Sequence, residues 1–249
     1  MCCFSGSVRS VTNTRIFARI LPDHRQALIY SMSLDTTRDV AMVLPIPVAA
    51  GSGEDAVKFI NLEKYPGIFS DLESLFPESL PSFGGGGRTR SEPAAKAKLE
   101  VVRIGAFNGC FVPSIKDFSR LDEQFRLPTG VWEKVGNYTQ YGFAVFKLRK
   151  GHAEVHPMAF SFPTALGPRL FLPTVHIHDG KVHPQADFDH VLYAQTLIGY
   201  PPPRHRWAES QRLATPAIKI GLAHSLFAAD QHVFGLKLKG KMRNVDVIA

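Results

Sequence analysis

Residues 174–189 read TVHIHDGKVHPQADFD and set His176, His178 and His183 around Asp179-Gly180. Asp-Gly is a strong signal for a two-residue type I′ hairpin, because both central positions of that turn need φ > 0. If His178 and Lys181 flank the turn, Ile177 pairs with Val182 and His176 with His183. Alternation along the strands then places the three imidazoles on one face and Val175, Ile177 and Val182 on the other. Opposed Cβ atoms stand ~4.5–5.5 Å apart and diagonal ones ~7–8 Å, a spacing from which imidazoles converge on one ion at ~2.0–2.1 Å. The chemistry expected of this surface is metal binding. The alternative reading of the same residues is a solvated polar face whose rings bond to water and carbonyls.

Further donors lie close in sequence. His190 follows Asp187 and Asp189 and joins the candidate ligands. A ligating imidazole usually gives its other N–H to a carboxylate, so Asp179, Asp187 or Asp189 is a candidate outer partner. Asp189 is also the candidate catalytic carboxylate. His152, Glu154 and His156 alternate onto one strand face, as a further ligand source or as the polar rim of a strand pair. The chain opens Met-Cys-Cys-Phe-Ser. With Met1 removed, the Cys2 α-amine, of pKa ~7.7–8.0, sits beside its own thiol. Such a terminus acts as a self-activated nucleophile or as a soft chelate, so Cys2 is a candidate catalytic residue and Cys2 and Cys3 are candidate ligands. Burial of both as small apolar side chains is the third possibility.

Two resemblances attach to these residues. Cys2, the apolar run Ile16-Phe17-Ala18 and Arg19 loosely resemble the N-terminal-nucleophile hydrolases over about twenty residues, where an arginine steadies the nucleophile. For their oxyanion-hole asparagine only Asn108 and Asn137 are on offer. The opening Cys-Cys-Phe-Ser, Thr14-Arg-Ile-Phe-Ala and above all Val40-Ala-Met-Val-Leu-Pro-Ile-Pro-Val48, followed by an expected acidic helix, resemble an uncharacterised family of bacterial conserved hypothetical proteins over roughly the first seventy-five residues. That resemblance implies no activity.

The elements that must hold these groups are mostly strands. Apolar runs at 15–21, 26–34, 40–48, 99–104, 141–148, 155–162, 170–178 and 233–238 are expected to be extended, with Pro45 and Pro47 placing the end of the third at an edge or bulge. Helices are expected over 54–62, 68–76, 114–125 and 207–214. Residues 82–98, Gly-rich and then charged, are expected to form a loop or linker between an N-terminal β-rich part (1–81) and a His-rich part (99–249), the whole being one continuous domain in the simplest case. They lack the Gly-Lys-Ser/Thr ending of a phosphate loop. Strand dominance with few crossover helices predicts an α+β fold, β-rich, mainly antiparallel, with a few flanking helices.

Composition sets the outer bounds. In 249 residues, 45% hydrophobic and 20% charged, there is material for a substantial core. No apolar run is long enough for a membrane helix and the opening lacks an export signal, so no membrane association and a cytoplasmic location are expected. Three cysteines are expected to be reduced thiols. A net charge of +7 is a weak pointer to nucleic acid, and no specific reading motif accompanies it. The basic run 237–243 alternates lysine with apolar residues, as on the wet side of an edge strand. The resulting expectation is a copper- or zinc-dependent protein, an oxidoreductase acting on an unidentified small molecule or peptide. An N-terminal cysteine amidohydrolase and a non-enzymatic metal- or partner-binding module are the alternatives.

Overall fold

The computed structural model describes residues 2–49, 51–76, 102–104, 107–121, 126, 138–177, 183–197, 199–202 and 206–249. In chain order these form β1 (Cys2–Phe4), β2 (Ser10–Ile20), β3 (Arg25–Thr36), β4 (Val40–Ile46), β5 (Lys58–Asn61) and α1 (Ile68–Glu73). Then come β6 (Val102–Ile104), β7 (Phe107–Val112), β8 (Gly142–Leu148), β9 (Gly151–Pro163), β10 (Phe171–Leu172) and β11 (His176–Ile177). The chain finishes with β12 (Gln185–Gln195), β13 (Ala208–Leu213), β14 (His232–Arg243) and β15 (Val247–Ile248).

The strands build a six-stranded sheet, β11-β1-β4-β8-β7-β6, and a seven-stranded one, β13-β14-β12-β2-β3-β9-β5, with β10 and β15 paired at the side. Both large sheets are mixed: β1 runs parallel to β11, and β12 parallel to β2, while the other pairings are antiparallel. Inner side chains of the two sheets, among them Met42, Leu44 and Phe146 from one and Leu28, Tyr30, Phe160 and Leu192 from the other, form the central core. The outer face of the six-stranded sheet is also buried, under Phe118, Leu121 and Tyr138. So is that of the seven-stranded sheet, under α1 and residues 214–227. Strands buried on both faces read as continuous apolar runs, which is why every residue of β4 is buried.

The α+β expectation is therefore corrected to a nearly all-β architecture. The 68–76 helix is present, shortened to α1. Residues 114–125 give only a 3₁₀ segment, Ile115–Arg120, in their described part. Residues 54–62 instead contain β5, whose Phe59 pairs with Phe160 and sets its ring 5.6 Å from that of Phe146. Residues 207–214 contain β13, and its helix-forming composition is overridden by pairing with β14 and by Ser210 Oγ, which accepts from Val233 N at 3.0 Å.

Pro45 shows why a proline survives inside β4. Ala41 N donates to Ser5 Oγ on the β1 side, so the odd-numbered positions of β4 turn their nitrogens that way. The last described β1 partner on that side is Cys3, opposite Val43. Pro45 thus omits a donor beyond the described end of β1.

Candidate functional site

Among the described residues, His176 and His183 do not pair as the two arms of a hairpin. Residues 178–182, with His178 and Asp179, lie outside the described residues. Of the two expected arms, β11 lies parallel to β1 in the six-stranded sheet, with Cys2 opposite His176 and Cys3 opposite Ile177. β12 begins after His183 and belongs to the seven-stranded sheet. β11 and β12 thus lie in different sheets, where one two-stranded ladder was expected. Apolar demand explains the outcome: Ile177 fills the outer core of one sheet and Phe188 the central core, and a single two-stranded ribbon cannot do both.

Asn244 takes the place of the missing ladder. Its Oδ1 accepts from His176 N at 2.7 Å, and its Nδ2 donates to the carbonyls of His176 at 2.9 Å and His183 at 3.0 Å. The side-chain amide thus mimics a neighbouring strand and holds both histidine backbones. Asp246, two residues on, accepts from the N–H groups of Thr174 and Val175 and from Tyr138 Oη. No local pattern hints at this, since Asn244 lies 68 positions from His176.

The imidazole that meets His176 is that of His190, reaching from the opposite sheet. Their Nε2 atoms are 3.1 Å apart, with ring centroids at 4.6 Å. Phe188 packs against both rings, 4.6 Å from His176 and 5.2 Å from His190. His190 is 1% exposed, whereas His176 is half-buried and borders a half-open pocket of about 290 Å³ shared with His183, Gln185 and Asn244. Burial pushes the His190 pKa down, against the opposing pull of Asp189, so the ring is neutral at neutral pH. Its Nδ1 makes no hydrogen bond and stands 3.7 Å from Asp189 Oδ1.

The other predicted residues are dispersed. Cys3 is fully buried among the outer apolar side chains of the six-stranded sheet, on the face away from the His176 ring. Cys110 shares that cluster, and burial lifts its thiol to about 12, so it carries no thiolate at neutral pH. Cys2 is placed by its ladder position beside His176. Asp189 accepts the N–H of Asn13 at 2.8 Å, where a register shift in β2 leaves that donor without a ladder partner. Asp187 borders the pocket. Arg19 donates to the Ser225 carbonyl at 3.4 Å on the outer side of the seven-stranded sheet, remote from β1 in the topology. Burial lowers its pKa against the pull of Asp230. The His156 ring stacks on Phe107 at 4.4 Å, and burial lowers its pKa. Among the described residues, no three His, Cys, Asp or Glu side chains gather as a metal site.

The sequence matches no family model and no curated protein. The fold is similar to that of baculovirus P35: a crystal structure of that protein superposes with a TM-score of 0.50 at 14% identity, covering 98% of each chain. A mutated baculovirus P35 after caspase cleavage superposes equally well, with a TM-score of 0.50 at 12% identity over 95% of this chain and 98% of the other. No helix among the described residues is long and apolar enough to cross a membrane.

Proposed function

We propose that this chain is a protein-binding module whose partner is a protease of the caspase class. The observation that carries the reading is the likeness of fold to baculovirus P35 over nearly the whole of both chains, one form of that protein having been crystallised after caspase cleavage. The chain's own chemistry is in keeping with binding. Several of its described polar groups serve the architecture: Asp246 and Asn244 fix the loop before the pocket, Asp189 satisfies a shifted strand, and the Cys110 thiol is buried and protonated. The doubly buried sheets give a rigid body, which lowers the ordering cost of docking a partner.

The test is to mix the purified chain with a panel of caspases, following peptide hydrolysis, complex formation by size-exclusion chromatography and the intact mass of both proteins. A stoichiometric complex with loss of protease activity is expected, and the masses locate any bond cut. Absence of both complex and inhibition at micromolar concentrations of folded protein overturns the proposal.

A further inference from the structure

We propose that His176 and His190 form a two-imidazole site for a divalent transition-metal ion of the zinc class, seated between the two sheets at the edge of the pocket. Two Zn–N bonds of ~2.0–2.1 Å at a tetrahedral angle hold their nitrogens roughly 3.3 Å apart. The observed Nε2···Nε2 separation is 3.1 Å, so as the ion enters the nitrogens part by tenths of an ångström and the rings turn their lone pairs from each other toward it. The two rings arrive from different sheets and are already oriented, His190 by burial in the central core and His176 by Asn244 on its backbone and by the edge contact of its ring with Phe188. On the far side of His190, Nδ1 lacks a hydrogen bond and Asp189 Oδ1 waits at 3.7 Å. A carboxylate there favours the Nδ1–H tautomer and leaves the Nε2 lone pair turned toward His176.

In the neutral pair one Nε2 carries a hydrogen and the other accepts it. Coordination needs both lone pairs, so the donating ring moves its proton from Nε2 to Nδ1, with no net proton released. Below the imidazole pKa a proton must leave as the ion enters, and affinity falls with falling pH. The pocket at His176 supplies the entry path, and water completes the coordination shell. Neither β11 nor β12 reveals the pair alone, because 14 residues and a change of sheet separate its members.

The experiment titrates untagged, chelator-treated protein with zinc ion alone by calorimetry, at pH 6 and pH 8. One equivalent is expected to bind, more tightly at pH 8. His176→Gln, at a half-buried position beside the pocket, is expected to keep the circular dichroism spectrum and to weaken binding by more than about tenfold, the least that loss of even an outer partner costs. A variant-free readout is acylation of wild-type protein by diethyl pyrocarbonate, mapped by mass spectrometry. Zinc is expected to shield His176. No binding up to millimolar zinc, wild-type affinity in folded His176→Gln, or equal acylation of His176 with and without zinc overturns the proposal. The protease-binding reading stands apart from all three outcomes.

Discussion

Asn244 is the residue on which the pocket's geometry most depends, because three backbone groups of another segment bond to one side chain. Asn244→Ala leaves the His176 N–H without its acceptor and two carbonyls without their donor. A buried group left unpaired costs ~1–3 kcal/mol, so a loss of about 2–3 kcal/mol in chemical unfolding is expected, with faster amide exchange at His176. Asn244→Asp keeps the acceptor but turns a carboxylate oxygen on both carbonyls, and is expected to cost more than the alanine change. His190 carries a second prediction. Its folded pKa lies below the ordinary 6.5 through burial, so the unfolded chain takes up the proton first. Stability is therefore complete above about pH 6.5 and declines as pH falls from there toward the folded value. His156, lowered by burial as well, acts in the same direction. In metal-free protein, His190→Gln is expected to flatten part of this decline in urea midpoints between pH 7.5 and 5, and an unchanged slope would remove His190 as its source.

At the scale of the elements, legibility followed apolar content. Runs such as 26–34 and 40–48 announce β3 and β4 because burial on both faces fills nearly every position with an apolar or small residue, Gln26 being the exception. β13 has the composition AESQRL, with only Ser210 buried, so nothing in its own residues asks for a strand. Its state is decided by β14, whose partner residues lie 19 to 27 positions later. The same holds for the candidate site. The histidines at 176 and 190 were visible as chemistry, but their meeting depends on β11 and β12 entering different sheets, which no local pattern encodes. β8 offers a test of how tightly its sheet is fitted. A Cβ on Gly142 would lie 2.5 Å from Phe111 Cε2 and 2.9 Å from Val48 Cγ2, both on side chains packed in the central core. Gly142→Ala is expected to destabilise by ~1–3 kcal/mol through overpacking, despite alanine's better conformational entropy. A stabilised variant in thermal unfolding would show that Phe111 can swing aside.

At the scale of the molecule, strands from before and after residues 82–98 alternate within both sheets: β1 and β4 lie among β6, β7, β8 and β11, and β2, β3 and β5 among β9, β12, β13 and β14. The sheets share one core, and Phe146 stands at its centre. Fully buried, its ring lies 5.6 Å from Phe59, 5.6 Å from Phe107 and 5.7 Å from Phe160, so that residues of both sheets lose contacts if it is removed. Phe146→Ala is expected to cost about 3–5 kcal/mol, the transfer of the ring plus the cavity that the flanking aromatics cannot close. Because neither sheet keeps a complete core without the other, the loss should appear equally in backbone and side-chain signals. Far-ultraviolet circular dichroism and the fluorescence of Trp207, buried in the same central core and read in a Trp132→Phe background, are expected to report one coincident transition with and without the Phe146 change. If the variant unfolds in two steps, with the Trp207 signal holding while part of the strand signal is lost, the sheets are separately stable and the shared core is not what joins them.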